Sequence, residues 1–309
     1  MALTHAALQR ISEDAVTAAI DAADWGKVAT YIPELASVPA DQVGIALALQ
    51  DGTVIQAGQS DTLFSIQSVS KVFSLAAVLG RVGDDLWLRV GREPSGTAFD
   101  SMVLLEREDG RPRNPFINAG ALVTTDAMIG GREPRDALAE LVRFVRAAAQ
   151  DDTIHINRRV AESEKTTGHR NLALAHYLKS HGNLKNTPDR VFGTYCHQCA
   201  IEMNCVQLAR TGAMLAQFPN APGLISEKRA RRICALMMTC GHYDGSGEFA
   251  FRVGLPGKSG VGGAILIIAP GHASIAVWSP GLDRYGNSKV GTRLAEDVAD
   301  QTGWSAFSR

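Results

Sequence analysis

No stretch of this chain approaches the roughly 20 consecutive apolar residues that a membrane-spanning helix requires. The start, MALTHAALQRISEDAVTAAI, has no apolar centre between a basic leader and a small-residue cleavage site. Neither sign of charge prevails: 31 Lys and Arg stand against 32 Asp and Glu. No summed field therefore favours DNA, RNA or an anionic membrane, and small-molecule chemistry is the expectation. Cysteine is scarce and odd in number, five in all, which suits reduced thiols better than a disulfide framework. Cys196 and Cys199 flank His197 at a metal-like spacing, with Cys205 and Cys240 further on. No second close pair completes a tetrahedral set, so buried free thiols are the expectation and a cytoplasmic location follows. Repeats, low-complexity tracts and linkers are also missing.

What is there is an ordinary globular composition, 45% hydrophobic and 20% charged over 309 residues, enough for a large core. Length alone fits one composite domain or two small ones. Apolar residues recur near helical spacing from Ile11 to Trp25, predicting a first helix. Val43 to Leu49, the Asp51-Gly52 turn and Thr53 to Ala57 predict an antiparallel pair. A helix over Lys71 to Val82 follows the polar run Gln67, Ser68 and Ser70. From about Asp100 to Cys240 five segments carry helical spacing and strand signals are scarce. After that, EFAFRVG, GGAILIIAPG and ASIAVWSPG read as three β-rich runs, and SKVGTRLAEDVADQTG as a closing helix. The simplest assembly is an α/β (α+β) fold in a single composite domain over 1–309. A mostly antiparallel central sheet comes from residues 26–66 and 245–309, flanked by helices, with a helical subdomain at 67–244 inserted.

Ser68 and Lys71 in QSVSK stand three apart at a helix opening, so hydroxyl and amine share a face. A serine hydroxyl attacks a carbonyl only when a base takes its proton, and a desolvated lysine can serve. Backbone N–H groups at a helix start supply part of an oxyanion hole. Alone, the pattern is better explained by a capped helix with a solvated lysine. Lys258-Ser259-Gly260 adds weight, because in serine hydrolases of the penicillin-binding and β-lactamase type a Lys-Thr/Ser-Gly strand faces the Ser-x-x-Lys helix. Gly260, Gly262 and Gly263 permit close backbone approach, so an N–H near Val261 can act as a second oxyanion donor; a plain glycine-rich turn is the competing reading.

YIPELA, QSVSKVF, NPFINAGALV, SEKTTGHRN, YCHQCAIE, TCGHYDGSGEFA and SGVGGA, in that order from Tyr31 to Ala264, together resemble the successive signatures of the serine-dependent glutaminases. The resemblance implies a β-lactamase/transpeptidase-like fold and hydrolysis of the side-chain amide of L-glutamine to L-glutamate and ammonia. It implies Ser68 as nucleophile, Lys71 as general base and Tyr243 as proton relay, with no metal or organic cofactor. Substrate contacts would fall on Tyr31, Gln67, Ser68, Asn118, Glu164, Asn171, Tyr195 and Tyr243, and on the backbone N–H of Val261. These types suit the ligand: a carboxylate pairs with an α-ammonium, and Asn and Tyr hydrogen-bond a carboxylate and an amide. A homo-oligomer, dimer or tetramer, and a short stand-alone bacterial-type form are implied as well.

Singly, Tyr31 and Tyr195 read as packing residues, Asn118 and Asn171 as caps and Glu164 as a loop charge. Their joint occurrence favours a site. Two departures stand out: Ala264 where many relatives carry a third glycine, and Ser259 where penicillin-binding enzymes commonly have threonine. Rival functions are a penicillin-recognising peptidase or esterase, which lacks a convincing Ser-x-Asn element, and a non-catalytic glutamine-binding module.

Overall fold

The computed structural model describes residues 3–307, so the first two and last two positions of the expected 1–309 domain lie outside the described residues. The elements run α1 (His5–Ala22), α2 (Pro33–Ala36), β1 (Gly44–Leu49), β2 (Val54–Gly58), β3 (Phe64–Ser65), α3 (Ser70–Val82), α4 (Met102–Arg107) and α5 (Asn118–Ile129). They continue through α6 (Pro134–Ala149), β4 (His155–Ile156), α7 (Arg158–Thr167), α8 (His169–Ser180), α9 (Pro188–Cys199), β5 (Ile201–Met203), α10 (Cys205–Ala216) and α11 (Glu227–Cys240). The chain closes with α12 (Ser246–Val253), β6 (Gly257–Ser259), β7 (Ala264–Ala269), β8 (Ala273–Trp278) and α13 (Lys289–Thr302). Among the described residues no helix is long and apolar enough to cross a membrane.

The central sheet has the order β2-β1-β8-β7-β6 and is antiparallel throughout. Its seam is β1 against β8, with Leu47 opposite Ile275, so strands from both ends of the chain close one sheet as expected. β1, β7 and β8 are buried on both faces, which explains their nearly continuous apolar runs. Strand alternation then splits the side chains between two cores. Ile45, Leu47, Ile265, Ile267, Ile275 and Val277 pack with Leu8 and Val16 of α1 and Leu294 and Val298 of α13. Ala46, Leu266, Ile268 and Trp278 face the larger core, shared with α3, α5, α6, α9, α10 and α11. α10 lies tight against the sheet: a Cβ at Gly212 would stand 2.2 Å from Ser274 Oγ.

Three elements depart from the sequence expectation. EFAFRVG is the helix α12, not a strand. Phe249 and Val253, four apart, are buried, whereas Phe251 is 89% exposed; a strand would have placed Phe249 and Phe251 on the same face. The first helix begins at His5, capped by the Thr4 hydroxyl accepting from the Ala7 N–H, and ends before Ala23 in the left-handed region, leaving Trp25 outside it. Finally, β4 and β5 lie within the region expected to be helical and, with β3, form a small antiparallel sheet, β3-β5-β4. Strands of two or three residues are too short to show alternation in sequence.

Candidate active site

Ser68 lies in a single 3-10 turn, Gln67–Val69, that runs directly into α3. The expected helix opening is thus tighter than an α-turn. Gln67 is held at φ 47°, in the left-handed region that a residue with a side chain seldom occupies. The glycine loop between β6 and β7 rests on this turn. A Cβ at Gly260 would stand 2.6 Å from the Ile66 carbonyl oxygen and 3.2 Å from the Ser68 nitrogen; at Gly262 it would meet the Ser65 carbonyl oxygen at 2.5 Å. Only glycine lets the two backbones approach this closely. Trp278, stacked on Phe64, fixes the loop by donating its indole N–H to the Gly262 carbonyl at 3.0 Å. Ala264 begins β7 in the larger core, away from the cavity, so its methyl does not narrow the site.

A cavity of about 150 Å³ opens above the turn, lined by Tyr31, Gln67, Ser68, Asn118, Glu164, Asn171, Tyr195 and Val261. Every expected contact residue except Tyr243 is therefore on its wall. Lys71 and Tyr243 are buried, Lys71 three residues on from Ser68 in the first turn of α3, and Tyr243 near enough for the Ser68 hydroxyl to favour its ionised form, although burial dominates and pushes the phenol up. The volume suits a ligand well below the roughly 300–1,000 Å³ of drug-sized sites. A larger cleft of about 640 Å³ is lined by Arg81, Arg89, Arg132 and Lys185. Two of these cations are already engaged, Arg89 with Asp126 and Arg132 with Glu140.

Asn118 organises the polar floor. Its Oδ1 accepts from Lys71 Nζ at 2.7 Å and from the Tyr195 hydroxyl at 3.4 Å, and its Nδ2 donates to Asn171 Oδ1 at 2.8 Å. Lys71 Nζ also donates to the Phe116 carbonyl at 3.1 Å. Burial drives the Lys71 amine down to about 8, against a smaller upward pull from Cys199 and Glu164. A lysine so placed can give up its proton near neutral pH.

Glu164, 5% exposed, has an Oε2 with no hydrogen-bond partner. Burial raises its carboxyl to about 8, and Lys71 only partly opposes this. A buried carboxylate oxygen left unpaired costs free energy unless a cation or donor arrives.

Tyr243 is the second non-glycine residue of the site at positive φ, 55°. Its hydroxyl donates to the Ser259 carbonyl at 3.4 Å. Ser259 in turn donates to Asn287 Oδ1 at 2.6 Å, and Asn287 Nδ2 to the His242 carbonyl at 3.1 Å, so strand β6 and the turn carrying Tyr243 are tied together. His242 is stacked on Phe249 with its ring centroid 3.5 Å away, and burial holds the imidazole neutral. Cys199, near Lys71, is a free thiol pushed up by burial.

Sequence reasoning missed Phe99, Asp100, Thr167 and Arg170, which also line the cavity. Arg170 Nε pairs with Asp100 Oδ2 at 3.1 Å and closes one side. Arg170 stands in the SEKTTGHRN stretch and could have been suspected there; no sequence signal singles out Asp100.

A turn carrying a serine hydroxyl, a buried amine and an amide-lined cavity of amino-acid size suit an amidohydrolase. Residues 26–307 match the family model described as Glutaminase. The chain is 59% identical over 291 residues to a glutaminase of Azorhizobium caulinodans, covering 93% of this chain and 94% of that one. It is 60% identical over 288 residues to a glutaminase of Methylobacterium radiotolerans, covering 92% and 93%. Among solved structures, a probable glutaminase of Bacillus subtilis superposes with a TM-score of 0.89 at 34% identity, covering 96% of each chain. The glutamate form of Mglu superposes with a TM-score of 0.92 at 34% identity, covering 97% of this chain and 70% of that one. The chain belongs to the glutaminase family and hydrolyses glutamine to glutamate.

Proposed function

We propose that glutamine is hydrolysed through a covalent ester on Ser68. The observation that supports this reading is the close contact between the glycine loop and the Ser68 turn, where a Cβ at Gly260 would stand 3.2 Å from the Ser68 nitrogen, with Ser68 and Val261 both on the cavity wall. Lys71, as free base, takes the Ser68 proton, directly or through Tyr243. Ser68 Oγ attacks the side-chain carbonyl carbon of glutamine. The N–H groups of Ser68 and Val261 hold the resulting oxyanion, a contribution of about 3 kcal/mol per donor. The C–N bond then breaks, ammonia leaves with the proton returned by Lys71 or Tyr243, and water hydrolyses the γ-glutamyl ester to glutamate. Tyr195 is the alternative relay.

Substrate selection follows from unpaired groups. The carboxylate of Glu164 receives the α-ammonium of glutamine. Asn118, Asn171, Tyr31, Tyr195 and Gln67 hydrogen-bond its carboxylate and amide, so that an amide lacking those groups leaves them unsatisfied. Ser68→Ala is expected to fold with an unchanged circular-dichroism spectrum and to lose ammonia release by about 10⁴-fold or more. Ammonia release within tenfold of wild type would remove Ser68 from the mechanism.

We further read the enzyme as a cytoplasmic homo-oligomer. Its five free cysteines suit a reducing compartment, and its family resemblance supports assembly. A monomer mass in light scattering, or recovery of the native protein outside the cytoplasm, would overturn the corresponding half of this reading.

A further inference from the structure

Lys258, on β6, is the second lysine buried beside the cavity, and it is fully inaccessible. Among the described residues no carboxylate pairs with it. Its Nζ lies 3.0 Å from the Gly241 carbonyl oxygen, 2.5 Å from the Ser259 carbonyl oxygen and 4.5 Å from the centroid of the Tyr243 ring. An ammonium has three N–H donors and no acceptor; a neutral amine has two donors and a lone pair. Two carbonyls and the nearer π-face make three acceptors, with the Phe116 ring more distant at 6.0 Å, and among the described residues no donor is directed at the nitrogen. Gly241 moreover caps the C-terminus of α11, where the helix dipole favours a cation, and a ring face attracts an ammonium and repels a lone pair.

Lys71 has the complementary environment. It has two oxygen acceptors, Asn118 Oδ1 and the Phe116 carbonyl, and its nearest ring face, that of Tyr195, stands 5.7 Å from Nζ against 4.5 Å for Tyr243 and Lys258; a free amine donates to the two oxygens and leaves its lone pair for the Ser68 proton. We propose that Lys258 is a positioning residue that stays protonated, pins the Tyr243 ring and the Ser259 carbonyl beneath Ser68, and by like-charge repulsion keeps Lys71 in its free-base form. This rests on the Ser68–Lys71 reading above.

The titratable groups around Lys258 are Lys71 on α3, Cys199 on α9, Cys240 on α11, and His242 and Tyr243 on the turn after α11. Burial keeps both thiols and the Tyr243 phenol protonated and the His242 imidazole neutral, so none supplies a counter-charge. Burial pulls the Lys258 amine well below the usual lysine range, and Lys71 adds to this only when it is charged; with Lys71 as the free base, the three acceptors and the helix terminus are what hold the Lys258 proton against burial.

The test compares kcat and KM for glutamine from pH 6 to 10 in wild type, Lys258→Met, Lys258→Gln and Lys71→Met. Lys71 must be unprotonated, so wild-type kcat rises with pH through its titration. Without the fixed charge, Lys71 regains basicity and this limb moves about one pH unit upward in both Lys258 variants. Lys258→Met is expected to lose about 10²-fold in kcat with KM within about threefold; Lys258→Gln, which keeps donors for both carbonyls, loses less. An unmoved limb in the folded variants overturns the proposal. A Lys71→Met enzyme that keeps the wild-type limb overturns instead the Ser68–Lys71 mechanism on which it rests. Neutron diffraction of the wild-type enzyme needs no variant: three deuterons on Lys258 Nζ support the assignment, and two refute it.

Discussion

Glu164 shows how far the site departs from what is best for stability. Its carboxyl, 4.5 in an unstrained chain, is raised to about 8 by burial. Between those values the folded protein holds a proton that the unfolded chain has released, so its contribution, fully present below pH 4.5, is lost as pH rises towards 8. Glu164→Gln removes this burden. We expect the empty variant to be more stable than wild type, by about 1 to 3 kcal/mol at pH 8 and by less at pH 5, while KM for glutamine rises at least about tenfold because the α-ammonium loses its partner. Thermal melts at the two pH values, paired with steady-state kinetics, read both effects. Equal melting temperatures at pH 8 with an unchanged KM would show that the carboxylate is neither strained nor used. Ser68 and Lys71 were legible in sequence as a spacing, but Glu164 was legible only through the combined family signatures, since a lone glutamate in a polar segment looks solvated. Lys258 was seen as part of a strand motif, and its three acceptors, drawn from α11, β6 and the turn between them, could not be. The Asp100–Arg170 pair joins positions 70 apart, a relation no local pattern records.

The site is assembled by the meeting of two short elements, the 3-10 turn at Gln67–Val69 and the loop from β6 to β7. Their contact depends on hydrogen atoms at Gly260 and Gly262. Gly260→Ala should push the loop from Ile66 and Ser68, with kcat falling by about 10² or more, because one oxyanion donor is displaced, and KM changing far less. A variant with wild-type kcat would mean that this contact does not set the oxyanion geometry. At this scale the sequence was informative where one face or both faces of an element meet a core over several turns or residues: β1, β2, β7, β8, α3, α5, α6, α10 and α13 all follow their apolar patterns. It misled at EFAFRVG, where Phe251 supplied alternation although it points to solvent. β3, β4 and β5 escaped notice because pairing partners far along the chain, Phe64 with Met203 and His155 with Glu202, and not local pattern define strands so short.

Over the whole molecule, β1 and β8 close the sheet from opposite ends of the chain, and the inserted helices pack on its inner face. The larger core takes Ala46, Leu266 and Trp278 from the sheet together with Leu122, Leu208 and Ile233 from the helices. We propose that the two parts therefore form one composite domain, and that wild type and Gly260→Ala each melt in a single calorimetric transition; two separate transitions would divide it. The catalytic arrangement we propose depends on this closure, since Ser68 comes from the insertion's first turn and the glycine loop from the returning sheet. The measurement that tests this account most directly is acid quenching of the enzyme within milliseconds of mixing with glutamine, followed by mass spectrometry of its peptides. The account predicts a γ-glutamyl group on the peptide carrying Ser68, absent from Ser68→Ala. A burst of ammonia with no adduct, or an adduct on another residue, would contradict it.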